Sequence, residues 1–241
     1  MHSLLPTTFV SALILTATAS AHVELTSPNG GEVLKGQSNF TIEWYDIVSH
    51  GGSVTYDLEF STDQGQSWLP IASDLPYTDG ISTFSWQVPD IDTNQGRIRV
   101  TMKLNSNDHW DDISDTNFTI NASYHHYGAG TAVNGITPLI RAQGIPSAGA
   151  SIQISCSQCQ VGADVHLIAG TAQLNLPRFG VTLLTNTDLA HVTATADANG
   201  EFMLPATLPA NTVGLTVHLQ AVVESTPNNS ASDGLMFTVL P

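Results

Sequence analysis

Histidine and aspartate side chains in the N-terminal half of the sequence are the first candidates for chemistry, because their types and spacing fit a metal site. The stretch ASAHVEL places His22 directly after Ala19-Ser20-Ala21, a small-residue pattern that signal peptidases cleave. A mature chain that begins with His22 offers an α-amine and a ring nitrogen on one residue. The pKa of an α-amine is about 7.7–8.0, so a metal ion displaces little proton there at neutral pH.

A second histidine would complete a set of three nitrogen ligands, which suits tetragonal Cu(II). His50 lies in DIVSHGG, beside glycines that leave room for an ion, and His109 lies in NDHWDD, beside carboxylates that include Asp108. Alternate loops of a sandwich cluster at one end, so these residues could converge near the N-terminus. We therefore predict a copper site formed by His22 and His50, with His109 or Asp108 as a neighbour.

This ligand set resembles the histidine brace of lytic polysaccharide monooxygenases and of some periplasmic copper-binding proteins, and the resemblance is limited to the site. A polysaccharide monooxygenase would need a flat aromatic surface, for which Trp110 and Tyr45 are the nearby candidates. The sequence contains no G-x-S-x-G, H-E-x-x-H or phosphate-binding glycine loop. Catalysis is therefore not predicted, and any activity would be that of a copper-dependent oxidase or monooxygenase. The alternative is that both histidines are ordinary solvated residues.

Short runs of alternating, β-branched residues between Gly, Pro, Asn and Asp clusters predict the elements that must position these side chains. The runs indicate an all-β protein with two immunoglobulin-like antiparallel β-sandwich domains in tandem. We expect a signal peptide at 1–21, the first domain at 22–122, a Tyr/His/Gly-rich linker at 123–135 and the second domain at 136–241. The core positions predicted for the first domain are Ile42, Trp44, Leu58, Phe60, Trp86, Ile98 and Val100.

Composition and charge favour a secreted or extracytoplasmic protein, in the periplasm or at the cell surface. The formal net charge is −15, from 6 Lys+Arg and 21 Asp+Glu, which argues against nucleic acid as a partner and favours cations. The apolar run of the signal is too short to span a membrane, and we predict no span elsewhere. The expected partner is a metal ion, with cell-wall or extracellular polysaccharide as a further candidate.

Two cysteines, Cys156 and Cys159 in SCSQC, form the only pair of this residue type. A C-x-x-C pair can be a redox motif, half of a four-ligand zinc site or a local disulfide. A second cysteine pair for zinc is absent, and both flanking segments look like strands rather than the helix that a redox motif would open. In an oxidising compartment we therefore expect a structural disulfide that closes a turn.

Several runs of the first half carry a family resemblance: SPNGGEVLKGQSNFTIEW, YDLEFSTDQGQSWLPIASDLP, FSWQVPD, GRIRVTM and DDISDTNFTI. Together they resemble the immunoglobulin-like module of yeast cell-wall glucan-synthesis proteins of the Kre9/Knh1 type. In many bacterial relatives the mature chain opens with His and a second His precedes a W-D-L strand, positions that match His22 and His50 here. The resemblance also implies an alternative function, that of a non-catalytic surface or matrix module for adhesion or cell-wall organisation, without metal.

Overall fold

The computed structural model describes residues 22–50, 54–105 and 107–241. Within these ranges the chain is all-β, as predicted, and its strands form two sandwiches that follow one another along the chain. The predicted signal peptide at 1–21 lies outside the described residues. In the described part, no helix is long and apolar enough to cross a membrane.

In the described residues, the first sandwich contains nine strands arranged in two sheets. The strands are β1 (Val23–Ser27), β2 (Val33–Lys35), β3 (Asn39–Asp46), β4 (Thr55–Ser61), β5 (Leu69–Pro76), β6 (Ile81–Gln87), β7 (Thr93–Lys103), β8 (His109–Ile113) and β9 (Phe118–Asn121). One sheet has the order β1-β3-β6, and the other has the order β2-β9-β7-β4-β5, with β8 paired to β7. The pair β2–β9 is parallel, a departure from the antiparallel pairing expected from the sequence.

The core of this sandwich lies between the two sheets and confirms the predicted alternation. All the core positions predicted from the sequence are buried, and Trp44 packs edge to face on Tyr56 with ring centroids 5.4 Å apart. Alternate residues of β3, β4, β6 and β7 supply these side chains, because successive residues of a strand point to opposite faces of the sheet. The buried faces fix how the two sheets stack, and thereby where the loops at their ends meet.

The second sandwich has its own core and eleven strands. They are β10 (His125–Tyr127), β11 (Leu139–Gln143), β12 (Ser151–Ser157), β13 (Asp164–Gly170), β14 (Gln173–Arg178), β15 (Val181–Thr185), β16 (Ala190–Thr195), β17 (Phe202–Thr207), β18 (Thr216–Val223), β19 (Ser230–Ala231) and β20 (Gly234–Thr238). The larger sheet has the order β10-β20-β18-β13-β16, the smaller has the order β11-β12-β17, and β14 and β15 form a separate hairpin.

The segment predicted as an interdomain linker is partly structured. His125 to Tyr127 form β10, an edge strand that pairs with β20 through the register His125↔Met236. Tyr124, just before this strand, packs in the second core against Phe237. Burial of the Tyr124 ring therefore places this part of the segment in the second sandwich.

Candidate metal site

His22 and His50 lie side by side at one end of the first sandwich. Nδ1 of His22 is 2.9 Å from Nε2 of His50, and the two imidazole planes differ by 11°. Both side chains are half-buried. The two residues that the sequence predicted as ligands thus present one nitrogen each to the same small space.

The position of His22 follows from the strand that it precedes. The His22 carbonyl accepts hydrogen bonds from the backbone N–H groups of Ile47 and Val48, at 2.9 and 3.3 Å. These bonds continue the β1–β3 ladder, in which Val23 pairs with Asp46, by one step beyond the strand ends. Because His50 follows shortly after the end of β3, this pairing brings the two histidines to the same end of the sheet.

Trp110 on β8 forms the floor of the site. Its indole lies 3.9 Å from the His22 ring and 5.0 Å from the His50 ring, centroid to centroid, and each imidazole plane is within 6° of the indole plane. Stacking of this kind contributes about 0.5–1.5 kcal/mol per aromatic pair beyond area burial. The indole thereby holds both imidazole rings parallel to one surface.

A carboxylate joins β8 to β1 and so places Trp110 under His22. The Leu25 backbone N–H donates to Oδ2 of Asp112 at 2.8 Å. Asp112 and Trp110 are two residues apart on β8 and therefore lie on the same face of the strand. The hydrogen bond fixes that face against β1.

A buried hydrogen bond supports the end of β3, where the His50 loop begins. The Tyr56 hydroxyl donates to Oδ1 of Asp46 at 2.6 Å, while Oδ2 of Asp46 is buried without a hydrogen-bond partner among the described residues. Burial, followed by the bond to Asp46, raises the pKa of Tyr56 well above its ordinary value. Tyr56 therefore remains a neutral donor that anchors this strand end.

The structure does not bring His109 or Asp108 to the histidine pair. His109 is exposed and precedes Trp110 on β8, so the alternation of the strand directs it to the opposite face. The Asp108 carboxylate accepts a hydrogen bond from the Asn105 side chain at 2.8 Å, which closes the loop before β8. Among the described residues, no group of three or more His, Cys, Asp or Glu side chains is arranged to hold a metal ion.

The donor chemistry of the pair fits a copper ion if the α-amine of His22 supplies a third nitrogen. Imidazole nitrogens bind such metals at about 2.0–2.1 Å. In the metal-free pair one of the two ring nitrogens donates a hydrogen bond to the other, so a bound ion would displace that proton and take its place between the rings. Two imidazoles and an amine form an all-nitrogen set of the kind that tetragonal Cu(II) prefers. The third donor exists only after cleavage before His22.

The predicted disulfide is not formed in the structure. Cys156 and Cys159 are buried thiols with their Sγ atoms 3.4 Å apart, in hydrogen-bonding contact. That hydrogen bond, with burial, raises the pKa of Cys156 well above its ordinary value. Cys156 therefore stays protonated at neutral pH and behaves as a core side chain.

Comparisons with known proteins add little to this geometry. No protein-family model matches the chain, and no curated protein sequence matches it. A solved structure described as "Structures of Clostridium thermocellum CbhA fibronectin(III)-like modules" matches with 12% sequence identity and a TM-score of 0.28. The match covers 90% of this chain and 94% of that chain.

The sequence suggested Trp110 only as a surface aromatic, and it suggested Asp112 only as one carboxylate of an acidic segment, not as a support of the histidine pair. The signal for both lies in the alternation of HWDDI. If this short segment is taken as a strand rather than as a loop, Trp110 and Asp112 fall on one face and His109 and Asp111 on the other. That assignment also removes His109 from the candidate ligands.

Proposed function

We propose that the mature protein, with His22 as its first residue, binds one copper ion through the α-amine and Nδ1 of His22 and Nε2 of His50. The observation that carries this proposal is the 2.9 Å approach of these two ring nitrogens above Trp110. The role that follows is copper binding outside the cytoplasm, for delivery or for sequestration.

The identity of the facing atoms supports the proposal. Nδ1 is the ring nitrogen nearer to the α-amine of its own residue, so the two can close a small chelate ring on one ion. The other ring nitrogen of the pair is Nε2 of His50, at the far end of its ring from the backbone. Copper(II) binds such nitrogen sites more tightly than other divalent first-row metals do.

The residues around the pair supply binding and orientation. Trp110 covers one face of both rings, and the backbone bonds to the His22 carbonyl hold the first residue in place. Bound copper would supply redox chemistry.

The test compares two preparations of the chain, one that begins at His22 and one that retains Ala21. Cu(II) is titrated into each by calorimetry, and electron paramagnetic resonance records the ligand field. We expect one equivalent to bind to the chain that begins at His22, with an axial signal showing coupling to nitrogen. The chain that retains Ala21 should bind at least about 100-fold more weakly, because an amide nitrogen replaces the amine.

Two substitutions sharpen this test. His50→Ala should weaken binding by a similar factor, while His109→Ala is the matched control, because His109 lies on the opposite face of β8. Equal binding by the two preparations, or equal losses in the two variants, would exclude the three-nitrogen site. In that case the metal-free surface module becomes the favoured function.

A further inference from the structure

The second sandwich carries another pair of histidines, on the face of its larger sheet. Nδ1 of His166 on β13 lies 3.1 Å from Nε2 of His191 on β16, and 2.9 Å from Oγ1 of Thr193. In the register of the two strands His166 pairs with Thr193, and His191 pairs with Ile168. The two histidines are thus diagonal neighbours, close enough for their rings to meet.

A carboxylate holds the other side of the His166 ring. Nε2 of His166 is 2.9 Å from Oε1 of Glu224, which directly follows β18, the strand on the far side of β13. A carboxylate accepts a hydrogen bond only from a protonated nitrogen, so this contact places the ring proton on Nε2. In the neutral ring, Nδ1 then carries the lone pair, which is directed at His191 and Thr193.

This carboxylate–histidine arrangement is the one that metal sites use to orient a ligand and raise its basicity. The apolar side chains beside the pair add rigidity. Ile168 and Val222 lie next to the histidines in the register and are buried in a small cluster with Val181. They give the exposed His191 and the more buried His166 a fixed apolar wall.

We propose that His166 Nδ1 and His191 Nε2 form a second metal site, for a borderline divalent ion such as Zn²⁺, Ni²⁺ or Cu²⁺. The protein supplies two imidazoles, and water completes the coordination, with Thr193 within reach of the first layer of ligands. Glu224 is a positioning residue that holds the proton of the neutral His166 ring on Nε2 and so leaves the lone pair of Nδ1 for the ion. This site is independent of the pair formed by His22 and His50.

The test uses the full chain that retains Ala21 and carries His50→Ala, so that the first pair contributes a single imidazole. Zinc chloride is titrated into this protein by calorimetry. We expect one equivalent to bind, and His191→Ala should weaken it at least about 10-fold. His191 is exposed, so circular dichroism should show an unchanged fold in this variant.

The matched control is His126→Asn. His126 is also exposed and also has a carboxylate partner, since its Nδ1 lies 2.9 Å from Oδ2 of Asp233, but no described second imidazole contacts it. This variant should bind zinc as the parent does. If His191→Ala and His126→Asn lose affinity equally, or neither loses any, the second site is wrong.

The positioning role of Glu224 can be tested separately, by the tautomer of the His166 ring. The ¹⁵N chemical shifts of the His166 ring should report the Nε2–H tautomer in the parent and a mixture of tautomers in Glu224→Ala. Removal of an outer carboxylate of this kind lowers metal affinity about 10–100-fold, and Glu224→Gln, which keeps an acceptor, should recover part of the loss. An unchanged tautomer with unchanged affinity would overturn the positioning role and leave the histidine pair intact.

Discussion

The two histidine pairs are built by different means, although their members are similarly spaced along the chain. His22 and His50 are 28 residues apart and stand at the ends of β1 and β3, so their meeting depends on how loops leave the sandwich. His166 and His191 are 25 residues apart and stand inside neighbouring strands, so their meeting depends on register alone. The indole of Trp110 stacks on both rings of the first pair, whereas the carboxylate of Glu224 contacts one ring of the second pair, that of His166.

Because of this difference, the two pairs should respond to different substitutions. A ladder of backbone hydrogen bonds fixes β13 against β16 regardless of most side-chain changes. Among the described residues, the first pair is held by the two backbone bonds to the His22 carbonyl, the indole of Trp110 and the bond between Leu25 and Asp112. Substitutions beneath the first pair should therefore affect it strongly and leave the second pair unchanged.

The largest effect is expected from Trp110→Ala. Loss of this half-buried side chain removes both stacking contacts and part of the packing against the first core. We expect the free energy of unfolding to fall by about 2–3 kcal/mol, below the 3–5 kcal/mol of a fully buried aromatic residue. Urea denaturation measures this loss, and copper affinity of the chain that begins at His22 should fall about 10-fold.

Trp68→Ala is the control for this prediction. Trp68 lies on the same sandwich and carries Arg99 over its ring at 4.5 Å, but it belongs to the turn between β4 and β5. Its removal should leave copper affinity unchanged. If both tryptophan variants bind copper as the parent does, the indole floor has no part in holding the first pair.

A smaller effect is expected from Asp112→Ala. This change leaves the buried Leu25 N–H without its acceptor, which costs about 1–3 kcal/mol of unfolding free energy. Asp112→Asn keeps an oxygen acceptor in the same place and should recover most of the loss. Zinc binding at the second pair should be the same in both variants, and a change there would contradict the independence of the two sites.

The sequence predicted the fold class and the core of the first sandwich because alternation is a local signal that strands such as β3 and β4 display clearly. It predicted His22 and His50 from the chemistry of a mature N-terminus. It could not predict the second pair, because a strand pattern does not say which strands are neighbours, and β13 lies between β16 and β18. The β14–β15 hairpin also has no clear signal in the sequence, because β14 is exposed along its whole length and has no buried face to produce an alternating pattern.

The smallest effect on stability at neutral pH is expected from His218→Phe. The same substitution tests whether a metal site requires two adjacent histidines or whether any histidine contributes to metal binding. His218 on β18 is buried, packs edge to face on Tyr127, and has an Nδ1 atom without a hydrogen-bond partner among the described residues. Removing an unpaired buried polar group is close to neutral or slightly stabilising. The variant should bind zinc and copper as the parent does.

The same substitution should change how stability depends on pH. Burial lowers the pKa of His218 below its ordinary value. The unfolded chain therefore takes up a proton as the pH falls through about 6.5, while the folded chain holds the ring neutral to lower pH. Because the unfolded state binds more protons there, His218 contributes a decrease in the unfolding free energy of the parent as the pH falls from 7 to 5. Phenylalanine does not titrate, so urea denaturation of the variant should show a smaller decrease over this range, and an identical slope would mean that His218 is protonated while buried.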